Sequence, residues 1–255
     1  MLSIISPAKK LNENIIKHHK NSSHLHFEDK IKELVNILKN FSVAEIAQLM
    51  KLSEKLARLN FERYQDFNLE GSQQQPSSNA LFLFQGDVYQ SLDAGSLNSN
   101  EINFAQDHLS ILSGLYGLIK PLDLVQPYRL EMGTKLNNNS GKDLYSFWQN
   151  ELTSHINKIL SKHKNKILLN LASNEYFKAI NLKSLNYPVV TVHFKEQKAG
   201  QLKVIGIHAK KARGALARFI ITNKIDNLEN VLNFTELDYN YKANLSDESN
   251  IVFTR

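Results

Sequence analysis

YPVVTVHFKEQKAGQLKVIGIHA, residues 187–209, decides what kind of sheet this chain builds. Its two arms, YPVVTVHF (187–194) and LKVIGIHA (202–209), read as strands, and KEQKAGQ between them is short and polar. The pattern predicts an antiparallel hairpin. Elsewhere apolar strands alternate with helices, which on its own predicts a parallel sheet. A hairpin among such units means a mixed sheet. The expected fold class is therefore α+β (mixed α/β): a mixed β-sheet with surrounding helices.

The other strands expected are LSIIS (2–6), stopped by Pro7, then ALFLFQGDVY (80–89), KILLNLAS (166–173) and NIVFTR (250–255). Helices are expected over 28–41, where Ile31, Leu34, Val35 and Leu38 recur at helical spacing, and over 43–50, opened by a Ser42/Glu45 capping box. Others are expected over 53–67 from Ser53, from 101 to about 111, over 143–160, over 174–180 and from 209 to about 223. GSQQQPSSN (71–79) is a loop, and SGLYGLIKPLDLVQPYRLEMGT (113–134) is broken by three Gly and two Pro. No internal repeat is visible. The 255 residues suit one domain, 1–255, with a helical hairpin subregion at 43–67.

Hydrophobic residues make up 42% and charged residues 22%, values of a globular chain with a real core. With no cysteine, disulfides, zinc–thiolate sites, Cys-ligated iron–sulfur clusters and thiol catalysis are excluded. MLSIISPAKKLNEN lacks the apolar stretch of a signal peptide, and no run approaches the ~20 apolar residues that span a bilayer. The expectation is a cytoplasmic protein without a membrane partner. A net charge of +6 suits an anionic one.

The positive charge is concentrated. Residues 195–224 hold eight Lys or Arg against one acid, Glu196. Within AKKARGALARF (209–219), a helical wheel puts Ala212, Ala215, Leu216 and Phe219 on one face and Lys210, Lys211, Gly214 and Arg218 on the other. Gly214 costs about 1 kcal/mol inside a helix, so its missing side chain invites close approach of a ligand or another backbone. Lys210, Lys211, Arg213, Gly214 and Arg218 are the phosphate-binding candidates here.

A second candidate is IAQLMKLSEKLARLN (46–60), which has the outline of a helix-hairpin-helix: Leu52 inward in a three-residue hairpin, Ala57 at a packing position. Lys51, Ser53 and Lys55 would supply phosphate donors. Lys51 and Ser53 stand where that module carries glycines, and residues 43–66 have four basic and four acidic groups. An ordinary αα-hairpin fits the same text.

The loop 113–134 carries Tyr116, Asp123, Tyr128, Arg129 and Glu131, and GLYG (114–117) fits a weak nucleic-acid clamp pattern. Asp87 and Glu175 fall at strand ends, where α/β proteins place chemistry. With Arg129 and Lys210 they would make a pocket for a phosphate or a nucleotide, although spacing alone does not make them converge. HHKNSSHLH offers His18, His19, His24 and His26 without an acid to fix their geometry, and neither a metal nor a cofactor is expected. Walker A, GxSxG, HExxH and GxGxxG patterns are absent.

Taken together, ISPAK (5–9), FQGDVY (84–89), LSGLYGLIKPLDLVQPYRLEMGT (112–134), KDLYSFW (142–148), NLASNEYF (170–177), AKKARGALARFII (209–221) and VFTR (252–255) resemble, in order, the signature segments of the YaaA peroxide-stress family. The resemblance covers essentially the whole chain. It implies a cytosolic protein that limits unincorporated iron and oxidative DNA damage, with a cannon-like fold, a helix-hairpin-helix element and a positive cleft that binds double-stranded and branched DNA. The hairpin would fall on 46–60, and the cleft would include Lys210, Lys211, Arg213 and Arg218. The resemblance implies no reaction and no oligomeric state. The expected function is non-sequence-specific DNA binding in peroxide stress; the alternative is an enzyme acting on a nucleotide or phosphorylated small molecule.

Overall fold

The computed structural model describes residues 1–12, 23–69, 77–198 and 200–255. Its centre is an eight-stranded mixed sheet. The strands are β1 (Leu2–Ile5), β2 (Leu109–Ser113), β3 (Gly117–Ile119), β4 (Leu168–Asn170), β5 (Val189–Lys198), β6 (Gln201–Lys203), β7 (Asn240–Tyr241) and β8 (Asn250–Thr254). They lie in the order β7-β8-β5-β4-β1-β2-β3, with β6 paired to β5. β8, β5, β4, β1 and β2 run parallel; β7, β3 and β6 are antiparallel additions. In register, Ser3 pairs with Leu109 on one side and with Leu169 on the other.

The central strands are short and wholly buried: LSII, LSILS and LLN. That is what continuous apolar runs predict for strands covered on both faces. Seven longer helices pack around them: α1 (Glu28–Lys39), α2 (Val43–Met50), α3 (Glu54–Asp66), α4 (Asp87–Leu92), α5 (Ser99–His108), α6 (Leu144–Ser161) and α7 (Gly206–Thr222). The α1 stripe Ile31, Leu34, Val35 and Leu38 is buried, and the Ser42/Glu45 capping box of α2 forms in full. Trp148 of α6 is buried under the sheet edge, its Nε1 donating to the Gly114 carbonyl at 2.8 Å. Gly117, at φ +74°, leaves that indole its space: a Cβ there would stand 2.6 Å from the ring. Among the described residues, no helix is long and apolar enough to cross a membrane.

The hairpin at 187–209 forms, but its second arm is shorter than expected. β6 ends at Lys203, and Gly206 opens α7. All three β6 residues are exposed: among the described residues, β6 pairs with β5 alone. ALFLFQGDVY is also not one strand. Ala80–Leu83 is a helical turn, only Phe84–Gln85 is extended, and α4 begins at Asp87. Ala80 and Leu81 donate their N–H groups to the Asp123 and Pro121 carbonyls, so the 113–134 segment captures this stretch before it can join the sheet. The helix from 101 stops at His108, where β2 takes over.

This topology has one switch point. The chain leaves β1 toward β2 on one side, and leaves β4 toward β5 on the other. β1 and β4 are neighbours. Outside their carboxyl ends the two connections diverge and leave a crevice, the usual place for a ligand in an open α/β sheet.

Candidate functional site

A cavity of about 340 Å³ fills that crevice. The stretches that leave the strands build its floor. Ser6 follows β1 and Ser173 follows β4. Ser173 donates its N–H to Ser6 Oγ at 2.9 Å, and the two hydroxyls meet at 3.2 Å. The Ser6 carbonyl accepts from the Tyr89 hydroxyl at 2.9 Å, which ties α4 to the same corner. Gly86 turns the chain into α4 at φ +133°, a conformation that a side chain would strain. It thereby brings Asp87, the first residue of α4, to the cavity.

The far wall is the 128–131 segment. The Arg129 carbonyl accepts from the buried Tyr64 hydroxyl of α3 at 2.6 Å, and Tyr128 shares a 2.6 Å hydrogen bond with Ser113 at the end of β2. These bonds fix the backbone from which Arg129 and Glu131 project. Glu131 Oε1 lies 3.0 Å from Arg129 and 3.0 Å from Lys9. Glu175 accepts the Gly133 N–H at 3.1 Å. The roof is α7, which contributes Lys210 and Arg213.

The charge here is unusual in kind. Arg129 and Arg213 each carry a buried Nε with no hydrogen-bond partner among the described residues. Burial also holds the Arg213 guanidinium below its ordinary range. Burial of a guanidinium is costly, and each unpaired donor costs more. Two guanidinium groups in one cavity, Arg129 paired with Glu131 and Arg213 largely desolvated, with Lys10 and Lys210 beside them, make a site that gains by taking up an anion with bidentate oxygens. Burial pushes the Tyr89, Tyr128 and Tyr176 phenols up, so all three stay neutral; Tyr89 donates its proton to the Ser6 carbonyl and Tyr128 shares a bond with Ser113. Asp87 and Glu175 add acceptors. The lining thus suits a ligand with an anionic end and a hydroxyl- or amine-bearing end.

The relatives are alike over the full length. A family model described as "Peroxide stress protein YaaA" matches residues 1–245. The chain belongs to the YaaA peroxide stress protein family. It is 52% identical over 256 residues to a UPF0246 protein of Legionella pneumophila (strain Lens), covering 100% of this chain and 99% of that protein. It is 46% identical over 255 residues to a UPF0246 protein of Francisella tularensis subsp. tularensis (strain WY96-3418), covering 100% of both. A UPF0246 protein of Francisella philomiragia subsp. philomiragia matches at 46% over the same span.

In this YaaA-family chain the cavity gathers Asp87, Tyr128, Arg129, Glu131, Glu175, Lys210 and Arg213 from distant parts of the sequence. Tyr116 is not among them. It is sealed beneath Tyr128, ring centroids 5.0 Å apart, with its hydroxyl engaged by the Gln126 backbone. Asp123 is buried and structural, accepting from Ser23 and, at 2.8 Å, from the Lys120 N–H; burial pushes its carboxyl up. GLYG is no exposed clamp, since a Cβ at Gly114 would stand 2.3 Å from the Leu130 carbonyl oxygen.

The basic face of α7 divides. Lys211 is exposed, whereas Gly214 is covered by the Val88 backbone of α4, so another backbone and not a ligand takes the space. Arg218 donates to the Leu92 and Asp93 carbonyls at 2.9 and 3.0 Å, capping the end of α4. In the α2–α3 hairpin, Lys51 adopts φ +52° and the N–H of Leu52 donates to the Ala47 carbonyl at 3.0 Å. Lys51, Ser53 and Lys55 are exposed and do not line the cavity. Of the loop histidines, His18 and His19 lie outside the described residues; His24 is exposed and His26 stacks on His155 with centroids 3.6 Å apart.

Sequence reasoning passed over Ser6, Lys9, Lys10, Tyr89, Ser173 and Tyr176. Their signal was position: each follows closely on a short apolar strand or sits in the turn of α4, the places where a switch point opens.

Proposed function

We propose that this chain serves the peroxide-stress response of its family, in the cytoplasm, by binding and acting on a nucleotide or another phosphorylated small molecule in the switch-point cavity. The observation that carries the reading is the meeting of two guanidinium groups, Arg129 and the largely desolvated Arg213, with Lys9, Lys10 and Lys210 in one cavity. A phosphate between the two side chains would accept from their terminal guanidinium nitrogens and offset part of the cost of desolvating Arg213. The carboxylates of Asp87 and Glu175 would receive ribose hydroxyls or base amino groups, and about 340 Å³ is the low end of small-molecule sites.

The test is calorimetric titration of the full chain with ATP, GTP, AMP and inorganic phosphate. At least one should bind, and Arg213→Gln and Arg129→Gln should each weaken it at least tenfold with the fold intact. No binding at millimolar concentration, or binding indifferent to both variants, would sink the reading.

A second reading is supported by the density of basic residues over 195–224, with Lys198, Lys203 and Lys211 exposed. It is non-sequence-specific binding of double-stranded or branched DNA, tied to limiting free iron and oxidative DNA damage. Such binding weakens steeply with salt because counterions are released. The Lys198→Glu, Lys203→Glu, Lys211→Glu triple variant leaves the cavity untouched. It should abolish duplex binding; if a folded triple variant binds DNA as well as the wild type, this surface is not the contact.

A further inference from the structure

The opposite end of the parallel strands carries a second cavity, of about 610 Å³. It opens where the strands begin. Met1 precedes β1, His108 closes α5 just before β2, and His163 lies between α6 and β4. Asp226 arrives from beyond α7. Ligand atoms of His108, His163 and Asp226 all lie within 4.8 Å of one another. The two imidazoles meet edge to face, centroids 4.9 Å apart, and His108 Nδ1 stands 3.6 Å from Asp226 Oδ1.

The cluster is held from outside. His108 stacks on Phe104, one turn earlier in α5, at 4.1 Å, and its Nδ1–H donates to the Met1 carbonyl at 2.9 Å, which leaves Nε2 as the nitrogen for a metal. Asp226 Oδ2 accepts from the Asn165 side chain at 3.1 Å. Outer partners of this sort fix the orientation of metal-binding side chains.

We propose that His108, His163 and Asp226 bind a borderline first-row divalent cation of the Zn(II), Co(II) or Ni(II) type. Two imidazoles and one carboxylate are donors for such ions, and not for Mg(II) or Ca(II), which take oxygen. Ligands about 2.1 Å from one metal stand at most about 4.2 Å apart, so small side-chain rotations complete the site. Two helix ends favour a cation at this spot. α5 and α6 both end here, and a helix C-terminus carries partial negative charge. The place already receives one positive group: the Met1 amine approaches His163 Nδ1 at 3.2 Å and pairs with Asp226. A dication would take over the same partners. Lys120, Lys158, Lys162 and Lys164 also line the cavity, with one further acid, Asp107. The lysines oppose a bare cation and favour an anion as its outer ligand, in the coordination positions that the protein leaves open.

The experiment uses the full chain, titrated with Zn(II) by calorimetry and with Co(II) by visible absorption. One equivalent should bind, with a Co(II) spectrum of nitrogen and oxygen ligation. His108→Gln and His163→Gln should each weaken binding at least tenfold. Asp226→Asn also removes the partner of the Met1 amine, so the histidine variants, each checked for a cooperative melt, decide the matter. A His18→Gln, His19→Gln, His24→Gln variant controls for the polar loop and should bind as the wild type does. Absence of stoichiometric binding, binding that survives both histidine substitutions, or binding lost in the loop variant would overturn the assignment.

Discussion

Gly214 of α7 lies against the Val88 carbonyl of α4 so closely that a Cβ at 214 would stand 2.0 Å from the oxygen. Two helices that line the cavity therefore touch backbone to backbone. Gly214→Ala would gain about 1 kcal/mol of helix propensity. It would lose more by prising the helices apart, since overpacking costs ~1–3 kcal/mol or more. A net loss of stability is expected in urea denaturation, together with weaker anion binding, because Asp87 and Arg213 flank the contact. A variant as stable as the wild type would mean that the crossing yields freely.

Arg218 acts on the same helix pair from the other end. It supplies donors to the Leu92 and Asp93 carbonyls, and its guanidinium lies 3.7 Å from the Asp93 carboxylate. Arg218→Ala should cost about 1–2 kcal/mol, the scale of charged hydrogen bonds to an otherwise open helix end. Binding in the cavity should change little. If instead ligand or DNA binding collapses while stability holds, Arg218 contacts the partner directly.

Gly117→Ala combines two penalties: a left-handed backbone and a methyl group 2.6 Å from the Trp148 ring. A loss of ~2–4 kcal/mol is expected. Trp148 is the sole tryptophan, so its fluorescence reports the displacement directly. An unchanged emission maximum in the folded variant would count against this packing.

Acid should destabilise the fold through His155. Burial, helped by His26 and nearby lysines, pushes this imidazole down to about 4 from 6.5. Its Nδ1 is buried with no partner among the described residues. Between pH 6.5 and about 4 the unfolded chain binds the proton and the folded chain does not, so stability falls as pH falls through that window. Allowing for partial exposure, the effect is roughly 1–2 kcal/mol. The melting temperatures of wild type and His155→Gln should converge toward pH 4; parallel curves would assign the acid sensitivity elsewhere.

The buried strands were the legible part of the fold. LSIIS and KILLNLAS are apolar without interruption and sit at the centre of the sheet. ALFLF has the same texture, yet it coils, because bonds from Ala80 and Leu81 to the 113–134 segment are long-range and leave no local trace. The site was half legible. Asp87, Arg129 and Glu175 stand out as polar residues at strand ends and in a broken loop. That they share a cavity depends on the order of strands, which no spacing encodes. A helical wheel grouped Gly214 and Arg218 with Lys210, correctly as geometry, but it cannot say that α4 covers part of that face.

β1 has only four residues, and it joins the two cavities: Ser6 lies in one, Met1 beside the other. At ~3.3 Å per residue the two ends are about 17 Å apart. Across an interior of effective dielectric constant ~20, a unit anion at one end and a unit cation at the other attract by roughly 1 kcal/mol before salt screens it. Any such attraction is reciprocal: Zn(II) would tighten phosphate by the same factor, up to about fivefold, by which phosphate tightens Zn(II). Phosphate titrations with and without Zn(II), repeated at high salt, would measure it, and identical affinities would mean that this short strand insulates its two ends.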